Sequence, residues 1–148
     1  MGKKNSREKP HEQFAAAPYR IGADGRLEVM LITSRETRRW VVPKGWPISK
    51  LGPMGTALRE AFEEAGVRGV GGASIGTFDY LKRMRRKRDR QCAVEVFPLR
   101  VLEQLDEWPE MDERERRWFL PQEASEAVQE KRLRKILLGL PERIALND

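Results

Sequence analysis

Residues 43–67 read PKGWPISKLGPMGTALREAFEEAGV. The first part of this stretch is barred from regular structure, because Pro43, Gly45 and Pro47 remove donors and impose turns. The second part is different. MGTALREAFEEA consists mostly of good helix formers, preceded by Gly52-Pro53 and stopped by Gly66, which predicts a helix over 54–65. On that helix Glu60, Glu63 and Glu64 stand at i, i+3 and i+4, and at ~100° per residue they share one arc of roughly 100°. Leu58, Ala61, Phe62 and Ala65 fall opposite, giving a packed back and an acidic front.

Like charges at this spacing destabilise a helix by a few tenths of a kcal/mol per pair, so a cation should offset them. Arg59 can pair with Glu63 but leaves net negative charge. Carboxylate oxygens that share a cation with substrate phosphates suit Mg²⁺, with Mn²⁺ as a substitute, and the pattern implies a divalent-cation site. A solvated acidic face would show the same three glutamates. The loop before the helix and Ala65-Gly66-Val67 after it decide between the two.

Outward from this stretch, QFAAAPYRI and LEVMLIT flank Ala23-Asp24-Gly25-Arg26 as the strands of a hairpin would. Trp40 to Val42 reads as a short strand entering the loop. Beyond the helix, strand-like segments at 73–80 and 92–102 bracket the basic run from Lys82 to Arg90. A loop at 106–114 leads to Trp118-Phe119-Leu120, Pro121 opens a helix to about Gln129, and another follows over 131–138. Strands with interspersed helices, no repeat and no second core predict one α/β sandwich domain over 12–148 after a mobile basic tail at 1–11. Met1-Gly2 with Ser6 matches a myristoylation pattern that chance also produces.

The chain has 148 residues, a formal charge of +6 and one cysteine. Cys92 excludes an intrachain disulfide, and with no long apolar run the expected setting is the cytoplasm, without a membrane span. The positive charge gathers at residues 1–9, 82–90 and 131–135, which predicts an anionic partner. The basic run lacks the interleaved aromatics of single-strand binding, which argues against nucleic acid and for a polyphosphorylated small molecule. Oligomeric state is not legible.

The stretch from Gly45 to Val67 resembles the signature of the Nudix family, G-x5-E-x7-R-E-U-x-E-E-x-G-U with U apolar. It departs at Leu51, where the family has Glu, and at Ala61, small for its U position. The resemblance implies an α/β/α sandwich with a mixed sheet and a strand-loop-helix-loop that holds Mg²⁺. The implied ligands are Glu60, Glu63 and Glu64, with a carbonyl beside Gly45, while Arg59 orients a glutamate. It further implies attack of water on phosphorus, with Glu64, Glu63 and Arg59 as the catalytic set. Glu64 is a candidate general base, and Glu95, Asp112 and Glu113 are further acids that could fold over the metal.

Over about residues 14–130 the likeness extends to the diphosphoinositol polyphosphate phosphohydrolase branch, which also cleaves diadenosine polyphosphates. Ser34, Arg35, Arg90 and Arg114 then match phosphate-binding positions. Lys44 adds a cation where that branch is glycine-rich, and Arg85 belongs to the arginine loop, suited to bidentate phosphate capture. Trp40, Trp46, Trp108 and Trp118 are candidates for stacking a base, though tryptophan also serves as core or rim packing. His11 falls in the tail without a role, and Cys92 reads as a small buried residue. Two rival readings stand beside this one: a Nudix hydrolase of a less charged nucleotide, and a non-catalytic module that keeps the fold.

Overall fold

The structure is a computed structural model that describes residues 9–147. Most of the expected tail and the Met1-Gly2 pattern lie outside the described residues. Strand β1 (His11–Ile21) begins at His11, so the last residue assigned to the tail is part of the sheet. It turns through the hairpin into β2 (Leu27–Thr33), with Tyr19 opposite Val29 and Ile21 opposite Leu27. Then come β3 (Trp40–Val41) and β4 (Lys44–Gly45). Helix α1 (Gly52–Glu60) continues without a break into a wider turn over Ala61–Ala65. Strands β5 (Val67–Gly71), β6 (Gly76–Lys82), β7 (Arg90–Gln104) and β8 (Arg116–Phe119) follow. Three helices close the chain: α2 (Pro121–Ala127), α3 (Lys131–Leu138) and α4 (Leu140–Asn147).

The sheet is mixed. Its path runs β3-β2-β1-β7-β5, with β4 beside β1, β6 beside β7 and β8 beside β2. β1 and β7 pair in parallel, from His11 opposite Cys92 to Tyr19 opposite Arg100, and the other pairs are antiparallel. A strand covered on both faces needs apolar residues in both directions, and β1 supplies them as an uninterrupted buried run from Gln13 to Tyr19. Ala15, Ala17 and Tyr19 pack with Leu31, Phe78 and Val94 against Ala124, Leu133 and Leu137 of α2 and α3. Phe14 and Ala16 pack on the other side with Met30, Phe97 and Leu99 against Ala57, Ala61 and Ala65. The result is the expected α/β/α sandwich.

Five local expectations change. Lys44 and Gly45 escape the ban on regular structure by a short bridge to Ala15 and Phe14. The helix begins at Gly52, because Pro53 has no N–H to lose in a first turn. β5 was hidden by its composition, since VRGVG carries two glycines that depress strand propensity. β6 starts at Gly76 rather than 73, and α4 was missed because Gly139 reads as a helix stop. Gly139 instead takes a right-handed conformation and the chain turns directly into the next helix.

Candidate active site

Glu60 ends α1, and the turn that follows is of the i→i+5 kind, with the Gly66 N–H reaching back to the Ala61 carbonyl as well as to that of Phe62. Such a turn advances less per residue than an α-helix, so side chains beyond it no longer keep the α phase. The consequence is a division of the acidic face. Glu64 turns inward and is buried, whereas Glu63 stays at the surface and accepts from Arg59 Nε at 2.8 Å. Glu60 and Glu64 are in contact, while Glu63, half-exposed and paired with Arg59, lies close enough for its charge to raise Glu60 further.

Gly45 makes room for the Glu60–Glu64 pair. A β-carbon built there would overlap the Glu60 carboxylate, so a larger residue would have to push that side chain out of its place. The Lys44 N–H donates to Glu64 Oε1 at 3.2 Å. The loop between is fixed on the helix by Thr56, whose hydroxyl donates to the Gly52 carbonyl at 2.7 Å and accepts from the Ile48 N–H at 3.1 Å. Burial raises both carboxyls: Glu64 is pushed up to about 8, against the pull of Arg114, and Glu60 is raised as well. Two adjacent acids that hold on to a proton in a place where water is scarce are a donor set suited to a hard divalent cation. Among the described residues no three acidic, His or Cys side chains already converge as a cage, and Mg²⁺ needs none, since waters and phosphates complete its shell.

Glu64 faces a cleft of about 640 Å³. Ser34, Arg35, Lys44, Arg85 and Arg114, all named as candidate substrate ligands from the sequence, line it. Arg114 is more deeply set than a free phosphate ligand. Its Nε donates to Glu110 at 2.8 Å, one Nη donates to the Thr33 carbonyl at 3.1 Å, and the other lies 3.8 Å from Glu64. Lys44 lies over the Tyr80 ring at 5.0 Å, and desolvation draws its ammonium down to about 8 although Glu64 attracts the charge. Arg90 is not brought into the lining; its guanidinium sits over Trp46 at 5.7 Å, with His11 edge-on to the same indole at 6.3 Å.

Of the four acids considered as general base, Glu64 alone lines the cleft, and Glu113 is engaged at 3.3 Å by Arg35. None of the four tryptophans lines it. Tyr80 is the aromatic wall instead, its hydroxyl donating to Gln13 at 2.7 Å. Sequence reasoning missed Arg39, which lines the cleft and pairs with Glu130 of the α2–α3 junction at 3.0 Å. It also missed Glu110, which shares Arg114 with Glu64. Leu51, at the position of the absent family acid, is 42% exposed.

The sequence profile of the NUDIX domain matches residues 11–139. A mouse protein named diphosphoinositol polyphosphate phosphohydrolase 3-alpha is 37% identical over 105 residues, covering 69% of this chain and 60% of its own length. The chain thus spans well under two thirds of that relative. Nudix hydrolase 17, mitochondrial, of Arabidopsis thaliana is 34% identical over 135 residues, covering 86% of this chain and 72% of that protein. In three dimensions the fold is similar to that of the Caenorhabditis elegans Ap4A hydrolase binary complex, with a TM-score of 0.69 at 18% identity over 91% of this chain and 98% of that one. With the profile spanning both sheet faces and the glutamate-bearing helix, the chain belongs to the Nudix hydrolase family.

Proposed function

We propose that the chain is a Mg²⁺-dependent pyrophosphohydrolase of polyphosphorylated small molecules, of the diadenosine polyphosphate or diphosphoinositol polyphosphate type. One observation carries this reading. The buried Glu64 opens into a cleft whose other charged walls are Arg35, Arg39, Lys44, Lys82, Arg83, Arg85 and Arg114, with Glu36 the one further acid. Seven cations facing two acids fit a chain of phosphates better than a substrate with a single diphosphate.

Glu60 and Glu64 would hold the cation beside Gly45. When bound, the ion shields phosphate charge and lowers the pKa of a coordinated water. Lys44 and Arg39 stand where they can neutralise the phosphate under attack and the one that leaves. As a carboxylate Glu64 can also take the proton of the attacking water. Glu63 would add a further carboxylate to the set that holds the cation, oriented by its 2.8 Å ion pair with Arg59. Sequence similarity to named phosphohydrolases supports the activity, and the cleft supports the substrate class. A cytoplasmic setting belongs to the same reading, resting on the lone reduced cysteine; no described helix is long and apolar enough to cross a membrane.

A substrate panel assayed with Mg²⁺ tests the proposal. Diadenosine penta- and hexaphosphate and diphosphoinositol polyphosphates should be cleaved with higher kcat/KM than a nucleotide sugar or an oxidised nucleoside triphosphate. The reverse order would favour the less charged substrates, and no turnover of any would favour the non-catalytic module.

A further inference from the structure

The wide turn at Ala61–Ala65 leaves a row of backbone carbonyls at the end of the glutamate-bearing helix, and each needs a donor from elsewhere. One distant segment provides them all. The Glu63 carbonyl accepts from the Glu110 N–H at 3.0 Å, and that of Glu64 from Trp108 Nε1 at 3.2 Å. The Ala65 carbonyl accepts from Arg116 Nη1 at 2.9 Å, and that of Gly66 from the Leu105 N–H at 2.8 Å. Arg116 is itself locked, donating to the Leu105 carbonyl at 2.6 Å and stacked 3.7 Å over the Trp108 ring. Gly66 is in the left-handed region at φ 67°, and a β-carbon there would strike both the indole and the guanidinium.

A left-handed glycine cap such as Gly66 satisfies only part of a helix end, and the remaining carbonyls are otherwise left to water. Here the indole N–H reaches the carbonyl of the very residue whose side chain enters the cleft. We propose that Trp108 and Arg116 are positioning residues that hold the widened turn open, and thereby keep the Glu64 carboxylate in the cleft beside Glu60 while Glu63 stays outside. Neither touches substrate. Both act through the backbone of residues 64–66, so the inference rests on the reading of Glu64 as a cation ligand.

The test uses the full chain with Trp108→Phe, Arg116→Lys and, as a reference, Glu64→Gln. Trp108→Phe retains a ring beneath Arg116 and removes one donor, so it carries the test even where Arg116→Lys fails to fold. The readouts are kcat, KM, the dissociation constant of Mn²⁺ measured by electron paramagnetic resonance without substrate, and the melting temperature in EDTA. Loss of a group that orients a metal ligand should lower kcat and weaken Mn²⁺ binding by ~10-fold or more, with KM unchanged. A lower melting temperature with wild-type kcat and Mn²⁺ affinity, beside an impaired Glu64→Gln, overturns this inference alone. Wild-type behaviour of Glu64→Gln overturns the reading of Glu64 and this inference with it.

Discussion

The backbone N–H of Lys44 donates to the carboxylate of Glu64 at 3.2 Å, tying the start of the loop to the end of the helix it precedes. Through this bond the cation at 44 and the acid at 64 occupy one cleft with a fixed relation. Glu64→Gln keeps the acceptor for Lys44 and removes the negative charge. The expected outcome is a kcat lower by at least ~10²-fold with an unchanged circular dichroism spectrum, because transition-state charge loses its counter-ion's ligand. Near-normal turnover would take this helix out of the chemistry.

Leu51→Glu restores an acid at a position that is 42% exposed, so the fold has room for it. Turnover should be unchanged or faster, with half-maximal activity reached at lower Mg²⁺. A melting temperature several degrees lower would show that Leu51 instead supports the loop by packing.

The basic run divides in two. Lys82, Arg83 and Arg85 line the cleft, while Arg86, Lys87 and Arg88 do not. Neutralising the first three should raise KM for a five- or six-phosphate dinucleotide by ~10-fold or more and leave a two-phosphate substrate nearly unaffected, since a charge-assisted contact matters only where the substrate reaches it. Neutralising the second three should act weakly on both, and added salt should erase that weak effect. Equal KM changes from the two triplets would reduce the run to a diffuse positive field.

Removing the cation should expose a pH dependence. Burial raises the Glu64 carboxyl from 4.5 to about 8, so the metal-free fold favours its protonated form. That contribution to stability is complete below about 4.5 and is lost as pH rises through about 8. In EDTA the melting temperature should therefore fall between about pH 5.5 and 8. Above that range Lys44, held down to about 8, begins to contribute with the opposite slope. Saturating Mg²⁺ should abolish the fall, because the ion takes the place of the proton. Scanning fluorimetry with and without metal checks both halves, and a flat profile in EDTA would mean that Glu64 is solvated.

Much of this was legible in the chain. The hairpin through Gly25 and the helix bearing Glu60 to Glu64 follow from local pattern, because turn glycine and helix propensity act within a few residues. Among the residues that line the cleft, Ser34, Arg35 and Arg114 were named through the family resemblance, Arg85 through the basic run, and Lys44 through a departure from the family pattern. What escaped depends on distance in the fold. Arg39 matters through Glu130, and Glu110 through Arg114, pairings that no spacing in the sequence announces. The unequal burial of Glu63 and Glu64 escaped for another reason. An α period was assumed where tertiary donors hold a wider turn, and those donors lie 44 residues away at Trp108 and further on at Arg116.

The parallel pairing of β1 with β7 also bears on how the protein comes into being. Antiparallel neighbours such as β1 and β2 can close as soon as their hairpin is made, but His11 finds Cys92 only after the intervening strands and helix have been synthesised. Arg114 reaches the Thr33 carbonyl across 81 residues. Non-local pairings of this kind demand loop closure before they return any stability, and they slow folding. During synthesis the N-terminal half must therefore wait with the buried run of β1 unpaired on one side, the state in which an apolar strand is most open to association with other chains. The cleft stays incomplete on a nascent chain until Arg114, the last residue of its lining, has been released.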